Sequence, residues 1–286
     1  MPCTLEDGTK IYLVDTPGFD DTYRSDSDIL REVALWLNKA HASDLKLAGI
    51  VFLHRIPDVR VGGSGKRNIN MFQKLCGDES LASVVLATTM WDLTTEKAGK
   101  DREAELKKQP LLWKRMIDHG SVVFRQDEEK ASALRIVKYL VDRKKPVTLD
   151  IQREMVDEKL DLLQTGAGSE LASAVEKLIQ HYERKLKELE KDLKDAWDKR
   201  DQERRDILED AKREHEANLL KNREEVKKLR ISAEELVEEA TKKYEETVRQ
   251  VQENHAHELE KQRVMMQKQF RENYYKMMSE RACIVM

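Results

Sequence analysis

The chain has 286 residues, room for two domains, but 37% of them are charged and only 6% aromatic, so much of it is not packed interior. Its 52 basic and 55 acidic residues nearly cancel and no block of one sign stands out, which argues against a dedicated nucleic-acid binder with its basic stripe, and no nucleic-acid partner is expected. No run of about eighteen apolar residues and no basic leader before an apolar stretch occurs, so neither a membrane span nor a secretory signal is expected. Cys3, Cys76 and Cys283 lie far apart, as in a reducing compartment, and the expected location is cytoplasmic.

In chain order, Lys10–Val14 (KIYLV), Leu47–Leu53, Ser83–Thr88 and Ser121–Phe124 are short apolar runs that read as buried strands of a parallel sheet. Between them Ser25–Ala40, Ser64–Cys76, Glu96–Lys108 and Glu129–Val141 carry helical spacing, the first two opening on a serine suited to cap a helix. This alternation predicts an α/β layered domain over residues 1–145. Residues 146–169, with Pro146 and a Thr-Gly-Ala-Gly-Ser run, read as a linker. All five prolines lie at or before Pro146, and neither glycine nor proline follows Gly168, so residues 170–282 read as one long helix. Unbroken, it is about 165 Å long at 1.5 Å per residue. Its apolar stripe (Leu171, Val175, Leu178, Tyr182, then Tyr244, Val248, Val251, His255) has more steps of four than of three and departs from a strict heptad. A coiled coil, between molecules or folded back on itself, is expected; a single charged helix without a partner is the other reading.

Ile11–Asp21, IYLVDTPGFDD, carries the most chemistry. An apolar strand ends at Asp15, and Thr16, Pro17 and Gly18 follow at the edge where open α/β sheets bind ligands. An aspartate there can hold the water shell of a nucleotide-bound Mg²⁺, and the backbone of Gly18 can approach a γ-phosphate. DTPGFDD resembles the phosphate-sensing motif of the translation-factor class of GTPases, which includes septins, immunity-associated GTPases and chloroplast import receptors. Residues 10–142 resemble that domain from its third strand to its last helix. Phe52–Gly63, FLHRIPDVRVGG, is similar to the fungal members of the immunity-associated type, which carry a His-Arg box here. The resemblance implies an α/β fold: an incomplete P-loop GTPase-like parallel sheet with flanking helices, followed by a long α-helical coiled coil. It also implies GTP or GDP with Mg²⁺ as cofactors. Asp15 would stand in the metal shell and Gly18 at the γ-phosphate. Thr89 and Asp92, in the TMWD that replaces Asn/Thr-Lys-x-Asp, would stand at the base. Met90 stands where the family has lysine, and Trp91 offers either a stacking face or a buried strand end. Arg55 either neutralises phosphate charge or joins His54 in bonding loops at the strand end.

Only fourteen residues precede Asp15, too few for a phosphate loop and the first elements of such a domain. The chain is expected either to be an N-terminally incomplete copy of a longer GTPase or a degenerate member, and not to hydrolyse GTP as it stands. Gly62–Lys66, GGSGK, lacks the earlier glycine and the following Ser or Thr of a P-loop and reads as a turn opening a helix. The last four residues, Cys283-Ile-Val-Met286, match the prenylation signal, methionine favouring farnesyl on Cys283. Lys261–Arg281 has six basic residues against two acidic ones, the second signal a single lipid needs to hold a protein on the cytoplasmic face of a membrane. The alternative is a frayed helix end with an idle cysteine. Two functions stand: a GTP-binding switch with an arm for self-association or protein partners, or a nucleotide-free coiled-coil scaffold.

Overall fold

The computed structural model of the chain describes residues 2–5, 7–19, 23–58, 61–198 and 201–281. These form two units, Met1–Leu236 and Val237–Met286. The first is mixed α/β and opens with a hairpin of β1 (Pro2–Thr4) and β2 (Lys10–Tyr12). α1 (Asp26–Ala42) follows, capped by Ser25, whose hydroxyl accepts the N–H of Asp28, and it buries Ile29, Leu30, Ala34 and Leu37. β3 (Ile50–Arg55), α2 (Gly63–Cys76), β4 (Val84–Thr89), α3 (Glu96–Lys108), the short α4 (Arg115–Asp118), β5 (Val122–Arg125) and α5 (Glu129–Asp142) complete the alternating part. β3, β4 and β5 form one parallel sheet in that order, with Ile50 beside Val84 and Val85 beside Val122. β4 is central and buried from Val84 to Thr88, whereas β3 lies at an edge and leaves Leu53 63% exposed. α2 ends at Gly77, whose φ of 77° and whose contact with the Asp150 carboxylate leave no room for a side chain.

Three expectations change. Lys10–Val14 does not join the parallel sheet: among the described residues β2 pairs only with β1, and Leu13 and Val14 are exposed. A strand must pair its backbone groups, and Pro2–Thr4, one turn away, is the neighbour that does so. Residues 146–169 form no free linker. The short α6 (Asp150–Gln152) and the turns around it place Leu149, Ile151, Met155 and Leu162 in the main core. The long helix is three: α7 (Gly166–Asp198), α8 (Gln202–Lys228) and α9 (Ala233–Arg281).

Side-chain caps, rather than glycine or proline, make these breaks. Asp201 accepts the N–H of Arg204 at 3.0 Å, and Ser232 and Glu235 accept each other's backbone N–H groups at 3.2 and 2.9 Å. α7 and α8 fold back on one another, with Arg223 paired to Glu183 at 2.9 Å and Tyr182 against His215 at 5.7 Å between centroids. Near the turn Arg205 covers the Trp197 ring at 4.2 Å. Ala167, Leu171 and Val175 of α7 enter the core, and Leu229 and Ile231 return to it after α8. There the N–H groups of Leu162 and Leu163 donate to the carbonyls of Ile231 (2.9 Å) and Leu229 (2.7 Å). Lys228 meets Asp28 of α1 at 2.8 Å. No helix among the described residues is long and apolar enough to cross a membrane.

Candidate functional site

The C-terminal ends of β3, β4 and β5 lie side by side, the edge at which parallel sheets bind ligands. Backbone bonds hold them in register: Ile56 donates to Thr89 O at 3.0 Å and Gln126 to Thr88 O at 2.8 Å. The Thr89 hydroxyl reaches His54 O at 3.4 Å. After β4 the chain turns at Met90, in the left-handed region with φ 60°, and makes a single 3-10 turn over Trp91–Leu93. Thr95 then caps α3 by accepting the N–H of Ala98. The structure therefore places Thr89 and Asp92 on one loop at the end of the central strand. Asp92 is exposed and makes no hydrogen bond or ion pair among the described residues.

Trp91 is not free to stack on a ligand. Its indole N–H donates to Thr88 Oγ1 at 3.0 Å, and the Arg125 guanidinium lies 4.0 Å from a ring centroid. A side chain at Gly99 would meet its ring at 2.5 Å, so α3 packs on the indole through a glycine. Arg125 is held in turn by Glu103 at 2.9 Å and Glu96 at 3.3 Å. Burial opposes ionisation of Glu103, but the hydrogen bonds and charges of Arg125 and Lys107 overcome it and hold the carboxyl below its usual range. Arg102 of α3 closes the group by donating to Ile56 O at 3.1 Å and Thr94 Oγ1 at 3.3 Å. Trp91, Gly99, Glu103 and Arg125 thus bolt β4, β5 and α3 together. Sequence reasoning missed three of these four; its available signal was Gly99, a glycine inside a helix of otherwise strong formers.

Beside the loop a cleft of about 270 Å³ is lined by His54, Asp58, Lys66, Arg102, Glu105 and apolar neighbours. The His54 ring meets the edge of buried Trp113 at 5.7 Å. Burial holds His54 below the usual imidazole range, against the pull of Asp58, so it is neutral at physiological pH. Arg55 is exposed, 3.9 Å from Asp58. Gly62–Lys66 opens α2, as a turn opening a helix should.

Asp15, Thr16 and Gly18 lie on an exposed segment after β2, anchored by Phe19 against the main core. Among the described residues no hydrogen bond or ion pair ties them to the loop of Thr89 and Asp92. Asp15 supplies one carboxylate, and among the described residues no group of three or more His, Cys, Asp or Glu could hold a metal ion. Mg²⁺ on a single carboxylate needs phosphate oxygens to complete its shell, so the residues present do not hold it alone. Cys283 lies outside the described residues. No protein-family model matches the chain, and comparison with curated proteins finds no match.

Proposed function

We propose that the first unit is part of a GTP-binding switch domain of the P-loop class, carrying its base-recognition edge and joined to a helical arm for self-association or protein partners. The observation that supports this reading is the Thr89–Asp92 loop at the end of the central parallel strand, with the Asp92 carboxylate unengaged among the described residues. Two carboxylate oxygens there accept from the N1 and N2 donors of guanine, while the Thr89 hydroxyl ties the loop to β3. Met90 takes the place of the lysine that braces the base, so base contact is weaker than in a full motif. Asp15 would contribute to a Mg²⁺ shell and Gly18 would meet the γ-phosphate. The glycine-rich phosphate loop that supplies most of the binding does not occur in this sequence, and hydrolysis by this chain is not expected.

The test is saturation-transfer NMR of the chain with GTP, ITP and ATP at millimolar concentration. GTP should give the strongest signal, and Asp92→Ala should weaken it about tenfold or more, as loss of a charged hydrogen-bond pair does. Equal signals from all three nucleotides, unaffected by Asp92→Ala, would exclude base recognition. One arrangement favours the second reading, a nucleotide-free scaffold: Trp91 is committed to the sheet–helix contact, and among the described residues no hydrogen bond or ion pair ties the Asp15–Gly18 segment to the edge. On that reading a pull-down with immobilised chain retains its partners whether or not nucleotide is present.

A further inference from the structure

In the second unit, Val237–Met286, α9 runs on to Arg281 and leaves most of the described residues of its apolar stripe exposed. Tyr244 is 71% exposed and Phe270 73%, and Val251, Val264 and Met266 are exposed as well. Apolar residues that face water over so many turns mark a surface that another chain covers. The stripe repeats at eleven residues: Tyr244, His255 and Met266 follow one another at that spacing, and Val248 and Phe270 lie two repeats apart. Eleven residues complete three helical turns with little drift, so two such helices can lie together nearly straight.

The charges decide what the partner is. Val237–Glu260 carries seven glutamates against Lys242, Lys243 and Arg249, a net of −4. The next stretch, Lys261–Arg271, carries four basic residues and no acidic one, a net of +4. An anionic membrane attracts only the second half and repels the first. A second copy lying parallel sets acid on acid and base on base. A second copy running the other way, centred on His257, sets residues 237–253, five glutamates against Lys242, Lys243 and Arg249 for a net of −2, against residues 261–277, five basic residues against Glu272 for a net of +4, so unlike charges face one another. The stripe permits that reversal: Tyr244 and Phe270 are equally far from His257, and so are Val248 and Met266, so apolar residues meet at both levels.

We infer that the Val237–Arg281 part of α9 pairs with the same helix of a second copy of this chain, antiparallel, centred near His257. The inference rests on the reading of the arm as a coiled-coil element, and it stands apart from what the sheet edge binds.

The experiment uses the full chain with Cys3→Ser and Cys283→Ser, leaving the buried Cys76, and a spin label at either Lys243→Cys or His257→Cys. Sedimentation equilibrium should give a dimer that weakens on the order of tenfold between 50 mM and 500 mM salt, since salt screens the attraction between the halves. Pulsed electron–electron spectroscopy should find the two His257→Cys labels close together. The two Lys243→Cys labels should be roughly 42 Å apart along the axis, twice fourteen residues at 1.5 Å each. A dimer with short distances at both positions is parallel and overturns this inference while leaving the coiled-coil reading intact. A monomer up to 0.1 mM overturns both. A monomer that floats with anionic lipid vesicles assigns the helix to a membrane surface and overturns the inference as well.

Discussion

Substituting Glu103 by glutamine tests the claim that Trp91 belongs to a structural bolt. The Glu103 side chain is 10% exposed and takes two hydrogen bonds from Arg125, at 3.2 and 2.9 Å, with Lys107 at 3.3 Å. Removing one partner of a fully buried ion pair costs roughly 3–5 kcal/mol, because the other charge is left stranded. Here Arg125 remains 28% exposed and keeps Glu96 and the Trp91 ring, so solvent and these neighbours absorb part of the loss. Glu103→Gln should therefore destabilise the first unit by about 2 kcal/mol and lower its melting temperature by about 4–8 °C. The folded carboxyl sits below its ordinary value of 4.5, so its contribution is complete above that pH and fades as pH falls through the folded value. The gap between wild type and variant should then narrow as the pH is taken down below 4.5. Urea unfolding at a series of pH values, followed by far-UV circular dichroism, measures both. A variant within about 0.5 kcal/mol of wild type at pH 7, or a gap that persists unchanged in acid, would refute the reasoning.

Met155→Ala should cost about 2–5 kcal/mol in the same assay, since Met155 is fully buried in the segment that composition assigns to a linker; a neutral result would return that segment to solvent. Ser232→Ala should cost about 1 kcal/mol by removing one half of the reciprocal cap at the start of α9, and hydrogen exchange should speed at Glu235, whose N–H loses its acceptor. Cys76 should resist alkylation in the native protein, because it is fully buried and burial pushes its thiol well above the usual range. Mass spectrometry after iodoacetamide should find Cys76 unmodified until denaturant is added.

The strands at Leu47–Leu53, Ser83–Thr88 and Ser121–Phe124 were legible because buried parallel strands are continuous apolar runs. The first begins later than its composition suggests, since Leu47 instead bridges Val147 and β3 starts at Ile50. Thr89 and Asp92 could be placed because a strand end followed by a turn fixes a loop at the sheet edge. The Glu103–Arg125–Trp91 contact could not, because it joins residues far apart in sequence whose pairing depends on how α3 settles on the sheet. Missing the helix breaks has a definite cause: glycine and proline are only one way to stop a helix. Asp201 and Ser232 stop it by offering the backbone a side-chain acceptor, and in a chain this rich in polar residues such caps do not stand out.

The return of the chain after α8 bears on how the protein is made. Leu162 and Leu163 find their backbone partners at Ile231 and Leu229, so Leu162 waits for a residue 69 positions further on. At about 5–20 residues per second that wait is roughly 3–14 s on the ribosome. Through that interval Leu162, Leu171 and Val175 lack the apolar cover that Leu229 and Ile231 later bring. A chain ending before residue 229 should therefore stay bound to holding chaperones, and one extending past residue 236 should be released from them once it has left the ribosome.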